Sequence, residues 1–135
     1  MAARARARKR ALDVLYEAEI RGLSPSEVLE TRESAADPPL NPYVRELVGG
    51  VLTHQQRIDA LLDEHATGWS LARMPMVDRN ILRIGAYELL FAEQVPDPVA
   101  ISESVRLATE LCGEESPMFV NGLLGRLQEL KPTLG

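Results

Sequence analysis

MVDRNILRIGAYELLFAE, residues 76–93, is apolar around most of a helix. Val77, Ile81, Leu82, Ile84, Leu89, Leu90 and Phe91 spread around most of a helical circumference. A helix apolar on nearly every side belongs inside a protein. Pro75 stands at its start, where a missing N–H costs nothing. The stretch therefore predicts a long central helix, and the rest of the chain must supply the helices that cover it.

Downstream, VPDP (95–98) leads into a predicted helix over 99–112 with Ile101, Val105, Ala108 and Cys112 on one stripe. A last helix over 117–131 is built on Phe119, Val120, Leu123, Leu127 and Leu130, with Ser116 as its cap and Pro117 in first position. Upstream, Gly68-Trp69-Ser70 divides the chain, and Ser70 can cap a short turn, LARM. Asn41-Pro42 opens a helix reaching His65 and carrying Val44, Leu47, Val48, Val51, Leu52, Ile58, Leu61 and Leu62. Gly49-Gly50 inside it permits close packing or marks a bend. Ser24-Pro25-Ser26-Glu27 reads as a capping box for a short helix to Glu33. The first helix, over 3–21, has Ala11, Val14, Leu15 and Ala18 at helical spacing and ends near Gly22. The prediction is an all-α fold of about seven helices in one domain of 135 residues, in two helical groups (1–67 and 68–135) that share a core. Aromatics at 4% and the absence of long β-branched runs agree with it.

Composition narrows the function classes. The single cysteine, Cys112, excludes an internal disulfide framework and suits a reducing, cytoplasmic location. No apolar run approaches a membrane span, and no apolar segment follows the basic start as a secretory signal requires. Net charge is −5, but residues 1–10 hold five of the 15 basic side chains and none of the 20 acidic ones, so a +5 tip sits on a −10 body. Thirteen of the basic residues are arginine, as codon bias would produce, but codon bias does not gather five charges in ten residues. The clustering points to an anionic partner. On a helix Arg4, Arg6, Arg8, Lys9 and Arg10 fan around the axis, Arg4 over Arg8 and Arg6 over Arg10, so the first turns should fray without an anion.

Enzyme chemistry finds no support. His54 and His65 are eleven residues apart, roughly 16 Å along a helix, too far to share a metal. No HExxH, CxxC or phosphate-cradling glycine loop is present, and Cys112 on an apolar stripe reads as structural. No cofactor is expected. Asp78, Arg79, Arg83 and Tyr87 are polar positions on the central helix, the last three at i, i+4 and i+8. They form either the helix's exposed strip or a docking face for a protein. Asn121-Gly122 in an apolar helix start suggests a buried hydrogen bond or a close backbone contact.

Four blocks carry a resemblance: RARKRALDVLYEAE (6–19), VDRNILRIGAYELL (77–90), VPDPVAISESVRLATEL (95–111) and SPMFVNGLLGRL (116–127). In this order and spacing the chain resembles the NusB family of bacterial transcription antitermination factors over essentially its whole length. The resemblance implies two helical bundles packed across each other and no enzymatic activity. The implied partners are boxA RNA of ribosomal-RNA leaders, the ribosomal protein NusE and the RNA polymerase antitermination complex. Some relatives self-associate, which makes a homodimer a further partner.

By position, the resemblance places Arg4, Arg6, Arg8, Lys9 and Arg10 on RNA, with Tyr16 as a base or ribose contact and Glu115, Ser116, Phe119 and Asn121 near it. Asp78 takes the family's acidic docking position, with Arg79, Arg83 and Tyr87 on the same face. Met118 stands where many members carry a basic residue, and Ser102 where Asn is usual. Five cations on five phosphates of a single strand would give a salt slope of about −3.5. Two rival readings are a helical protein–protein adaptor with no RNA role and a detached accessory domain of an rRNA-modifying enzyme.

Overall fold

The computed structural model describes residues 2–134. Six α-helices and one 3-10 turn follow in order: α1 (Ala2–Arg21), α2 (Pro25–Ala35), α3 (Pro42–His65), the turn Leu71–Arg73, α4 (Met76–Phe91), α5 (Asp97–Leu111) and α6 (Ser116–Leu134). Among the described residues there is no strand, and no helix is long and apolar enough to cross a membrane.

Local chemistry sets the boundaries. Gly22 takes φ +66°, and its successor Leu23 donates its N–H back to the Ala18 carbonyl at 2.9 Å, which closes α1 with a left-handed glycine cap. Ser24 caps α2, but its hydroxyl accepts from the Ser26 N–H and Glu27 does not reach back, so the box is half formed. Asn41 Oδ1 accepts from the Tyr43 N–H at 2.9 Å and starts α3 as expected. Gly68, at φ +81°, breaks the chain between α3 and the 3-10 turn.

The central position of α4 follows from its sequence. It packs on α1, α3, α5 and α6. Ile81, Leu82, Ile84 and Leu89 are fully buried against Leu47, Ile58 and Leu62 of α3 and Leu124 and Leu127 of α6, in one continuous core. Each such side chain contributes about 1.5–3 kcal/mol by leaving water. Two glycines permit the approach. A Cβ on Gly50 would lie 2.2 Å from the Tyr87 ring, and one on Gly85 would lie 2.3 Å from the Ser104 hydroxyl. Gly49-Gly50 therefore serves close packing, and α3 runs unbroken through it.

Because helices cover α4 on every side, its polar residues are inside as well. Asp78, Asn80 and Glu88 are buried, and each finds a hydrogen-bond partner. No buried side-chain nitrogen or oxygen among the described residues is left without one.

Candidate nucleic-acid interface

The basic tip is a continuous helix whose two arginine pairs point in opposite directions. Arg4 and Arg8 turn inward over Tyr43 of α3, with their guanidinium carbons 4.7 and 5.9 Å from its ring centroid. Arg8 is 3% exposed. Its Nε donates to both carboxylate oxygens of Glu88, at 2.9 and 3.0 Å, and its Nη1 reaches Glu103 at 3.2 Å. The Tyr43 hydroxyl donates to the same Glu88 carboxylate. Burial works to lower the Arg8 pKa, but hydrogen bonding to Glu88 and its charge outweigh it and hold the guanidinium above its ordinary value. Burial first, then the bond to Glu88, raises the Tyr43 phenol. The surface role expected for Arg8 is corrected accordingly: an arginine 3% exposed, whose Nε and Nη1 are taken by Glu88 and Glu103, presents little of its guanidinium to solvent. The expected fraying is corrected too, since the network ties the first turns to α3 and α4.

Arg6 and Arg10 turn outward and are exposed, one turn apart. Neither pairs with an acid among the described residues, unlike Arg8, Arg21 and Arg32. Lys9 is 44% exposed and only 4.0 Å from Asp13. Tyr16, 41% exposed, lies two turns beyond Lys9 on the same outer face, with Ile20 next along. Beside Arg6 and Arg10 runs a groove of about 590 Å³ between α1 and the segment joining α2 to α3.

The stripe Asp78, Arg79, Arg83, Tyr87 is not a solvated strip, because its side chains are engaged within the fold. Asp78 is 3% exposed and accepts a hydrogen bond from Ser116. Arg83 grips Asp59 of α3 with two hydrogen bonds, at 2.8 and 2.9 Å. Arg79 pairs with Glu19 of α1 and donates to the carbonyls of Leu71 and Met74. Tyr87 lies against Gly50. These four residues join α4 to α1, α3, α6 and the 3-10 turn, and Arg79 and Arg83 also border an open groove with Glu19, Asp59 and Leu71.

The start of α6 divides in the same way. Ser116 is not the cap but lies within the helix, buried, with its hydroxyl donating to Asp78. Burial is the largest influence on Cys112 beside them, and with Asp78 it pushes the thiol from its ordinary 9.0 up to about 12. Phe119 is half-buried, its ring edge-on to Trp69 at 5.1 Å. Glu115 and Asn121 are exposed, so Asn121 makes no buried hydrogen bond, and a Cβ on Gly122 would meet nothing within 4 Å. Met118 is 80% exposed. His54 is not a plain surface histidine; its ring stacks on Phe91 at 3.9 Å. No group of histidine, cysteine and acidic side chains among the described residues could hold a metal.

Sequence reading missed Glu88 and Tyr43, which hold the arm in place. Glu88 was visible as an acid inside the most apolar stretch, a position that demands a buried cation. Pro38 and Pro39, in the segment between α2 and α3, form a wall of the groove.

The sequence model of the NusB family matches residues 5–129. A transcription antitermination protein NusB of Arthrobacter sp. (strain FB24) is 58% identical over 134 residues, covering 99% of this chain and 98% of that protein. The solved structure of T. maritima NusB superposes with a TM-score of 0.84 at 32% identity, covering 93% of this chain and 90% of that one. A solved complex of antitermination factors NusB and NusE with double-stranded RNA contains a chain similar at a TM-score of 0.81 and 30% identity, covering 96% of this chain and 98% of that one. With its all-α architecture and basic first helix in agreement, the chain belongs to the NusB family.

Proposed function

We propose that the protein is a transcription antitermination factor that acts in the cytoplasm without catalysing a reaction. It binds boxA RNA of ribosomal-RNA leaders together with NusE and helps make RNA polymerase resistant to termination. The observation that carries this reading is the cluster of outward cations on α1. Arg6 and Arg10 have no acidic partner among the described residues, Lys9 is loosely held, and Tyr16 offers an exposed ring for stacking. The curated relatives are named for antitermination, and one solved relative was captured with NusE and RNA.

With Arg8 withdrawn into the core, the arm offers at most four cations, for a salt slope near −2.8 on single-stranded RNA. The acidic body opposes further contact. The isolated protein therefore binds RNA weakly and with little sequence preference, and NusE supplies the rest of a composite surface. Titrating boxA and scrambled RNA with the protein, with and without NusE, tests this. A boxA preference that emerges only with NusE supports it. Equal binding of both RNAs in the presence of NusE would sink it, as would tight boxA-specific binding by the protein alone.

A further inference from the structure

The groove beside the arm has the size and charge of a binding site. Its volume of about 590 Å³ lies in the range that holds a small ligand. Arg6 and Arg10 stand along one wall, Pro39 and Leu40 along the other, and the buried Val14 and Val44 close the floor. We propose that this groove seats one nucleotide of single-stranded RNA, its phosphate on Arg6 and Arg10 and its base against Pro39 and Leu40. The inference rests on the RNA-binding reading above and adds where the strand meets the arm and which second segment touches it.

The local bonding supports this assignment. Arg32 also borders the groove, but its Nε and Nη2 are held by Glu17 at 3.0 and 2.6 Å, which leaves Arg6 and Arg10 as the cations facing an incoming anion. Asn41 uses its Oδ1 to cap α3, so its amide N–H groups are the ones left to donate to a base edge. Asp37 at the rim is an acceptor for an exocyclic amine. A wall of proline and leucine gives a base an apolar face at little entropic cost, since proline is already fixed. Arg8, locked to Glu88, keeps α1 in the orientation that holds Arg6 and Arg10 along the groove.

Photocrosslinking and one reversed pair of variants test it. BoxA RNA carrying 4-thiouridine is irradiated in complex with the full chain and NusE, and the attached peptides are mapped. Binding is then titrated for Pro39→Glu and Pro39→Lys, two substitutions at one exposed loop position, so any shared backbone effect cancels between them. Crosslinks within residues 36–41 are expected. Pro39→Glu, which sets a carboxylate opposite the arginines, should weaken RNA binding about fivefold. Pro39→Lys should tighten it and steepen the salt slope by about 0.7. Equal affinity in both variants with crosslinks confined elsewhere overturns the groove while leaving RNA binding intact. A change in NusE affinity with RNA affinity constant also overturns it and gives the groove to a protein segment. No RNA binding by the unaltered chain with NusE would remove the broader reading, and this one with it.

Discussion

The Nε of Arg8 sits 2.9 and 3.0 Å from the two carboxylate oxygens of Glu88, eighty residues away, inside the seam between α1 and α4. Arg8 is 3% exposed and Glu88 fully buried, so this pair is an internal tie and not a surface bridge. Removing Arg8 leaves Glu88 as an uncompensated buried charge, and removing Glu88 leaves Arg8 with only Glu103, at 3.2 Å, to balance it. Arg8→Met or Glu88→Leu alone should cost about 3–5 kcal/mol in urea unfolding, while the double replacement should recover most of that loss. Tyr43 then keeps a hydroxyl without its carboxylate, a residual penalty that Tyr43→Phe in the same background should relieve.

The adjacent glycines of α3 should respond in opposite directions. Gly50→Ala places a methyl 2.2 Å from the Tyr87 ring and should lower stability by about 1–3 kcal/mol. Gly49→Ala meets nothing within 4 Å and should raise stability by about 0.8–1 kcal/mol through helix propensity. Thermal unfolding of the two variants separates close packing from simple helix weakness.

Alkaline stability should fall in two stages. A thiol or phenol whose pKa is raised by folding binds its proton more tightly in the folded state, so its contribution is complete below the unfolded value and lost above it. Cys112, raised from 9.0 to about 12, should begin the decline near pH 9. Tyr43, raised from 10.0, should add to it above pH 10. In Cys112→Ala the onset should move from about pH 9 to about pH 10, read as the urea midpoint against pH. An unchanged onset would contradict the burial described for Cys112.

Asp78 is a structural acceptor for Ser116, and its substitution should act on the fold before any partner. Asp78→Lys should lower the unfolding midpoint steeply, because it forces a second sign of charge into a site 3% exposed. Any loss of NusE binding in that variant should follow the loss of folded protein at each temperature. Normal unfolding accompanied by lost NusE binding would return Asp78 to a docking role.

Most of the fold was legible because helix periodicity and cap–proline pairs are local signals. The apolar girth of residues 76–93 announced a central helix, and Asn41-Pro42 and Gly22 marked boundaries to within a residue or so. The site was harder to read. Arginines 4, 6, 8 and 10 are alike in sequence, and which of them turns inward depends on where Tyr43 and Glu88 arrive from distant helices. The stripe Asp78, Arg79, Arg83 misled for a related reason: charged residues on a helix read as surface until the helices bearing Glu19 and Asp59 are seen closing over them. Ser116 looked like a cap because Ser-Pro usually is one, whereas its hydroxyl turns to Asp78 of a distant helix, a partner that local sequence does not reveal.

On the proposed function, the outward pair Arg6 and Arg10 meets RNA while Arg8 only holds the arm in place. The salt dependence of boxA binding in the presence of NusE tests it most directly, since each phosphate contact on a single strand contributes about 0.7 to the slope. Arg6→Ser and Arg10→Ser should each flatten the slope by about that amount, whereas Arg8→Met combined with Glu88→Leu should leave it unchanged. A folded double variant whose slope flattens as much as that of Arg10→Ser would contradict the account.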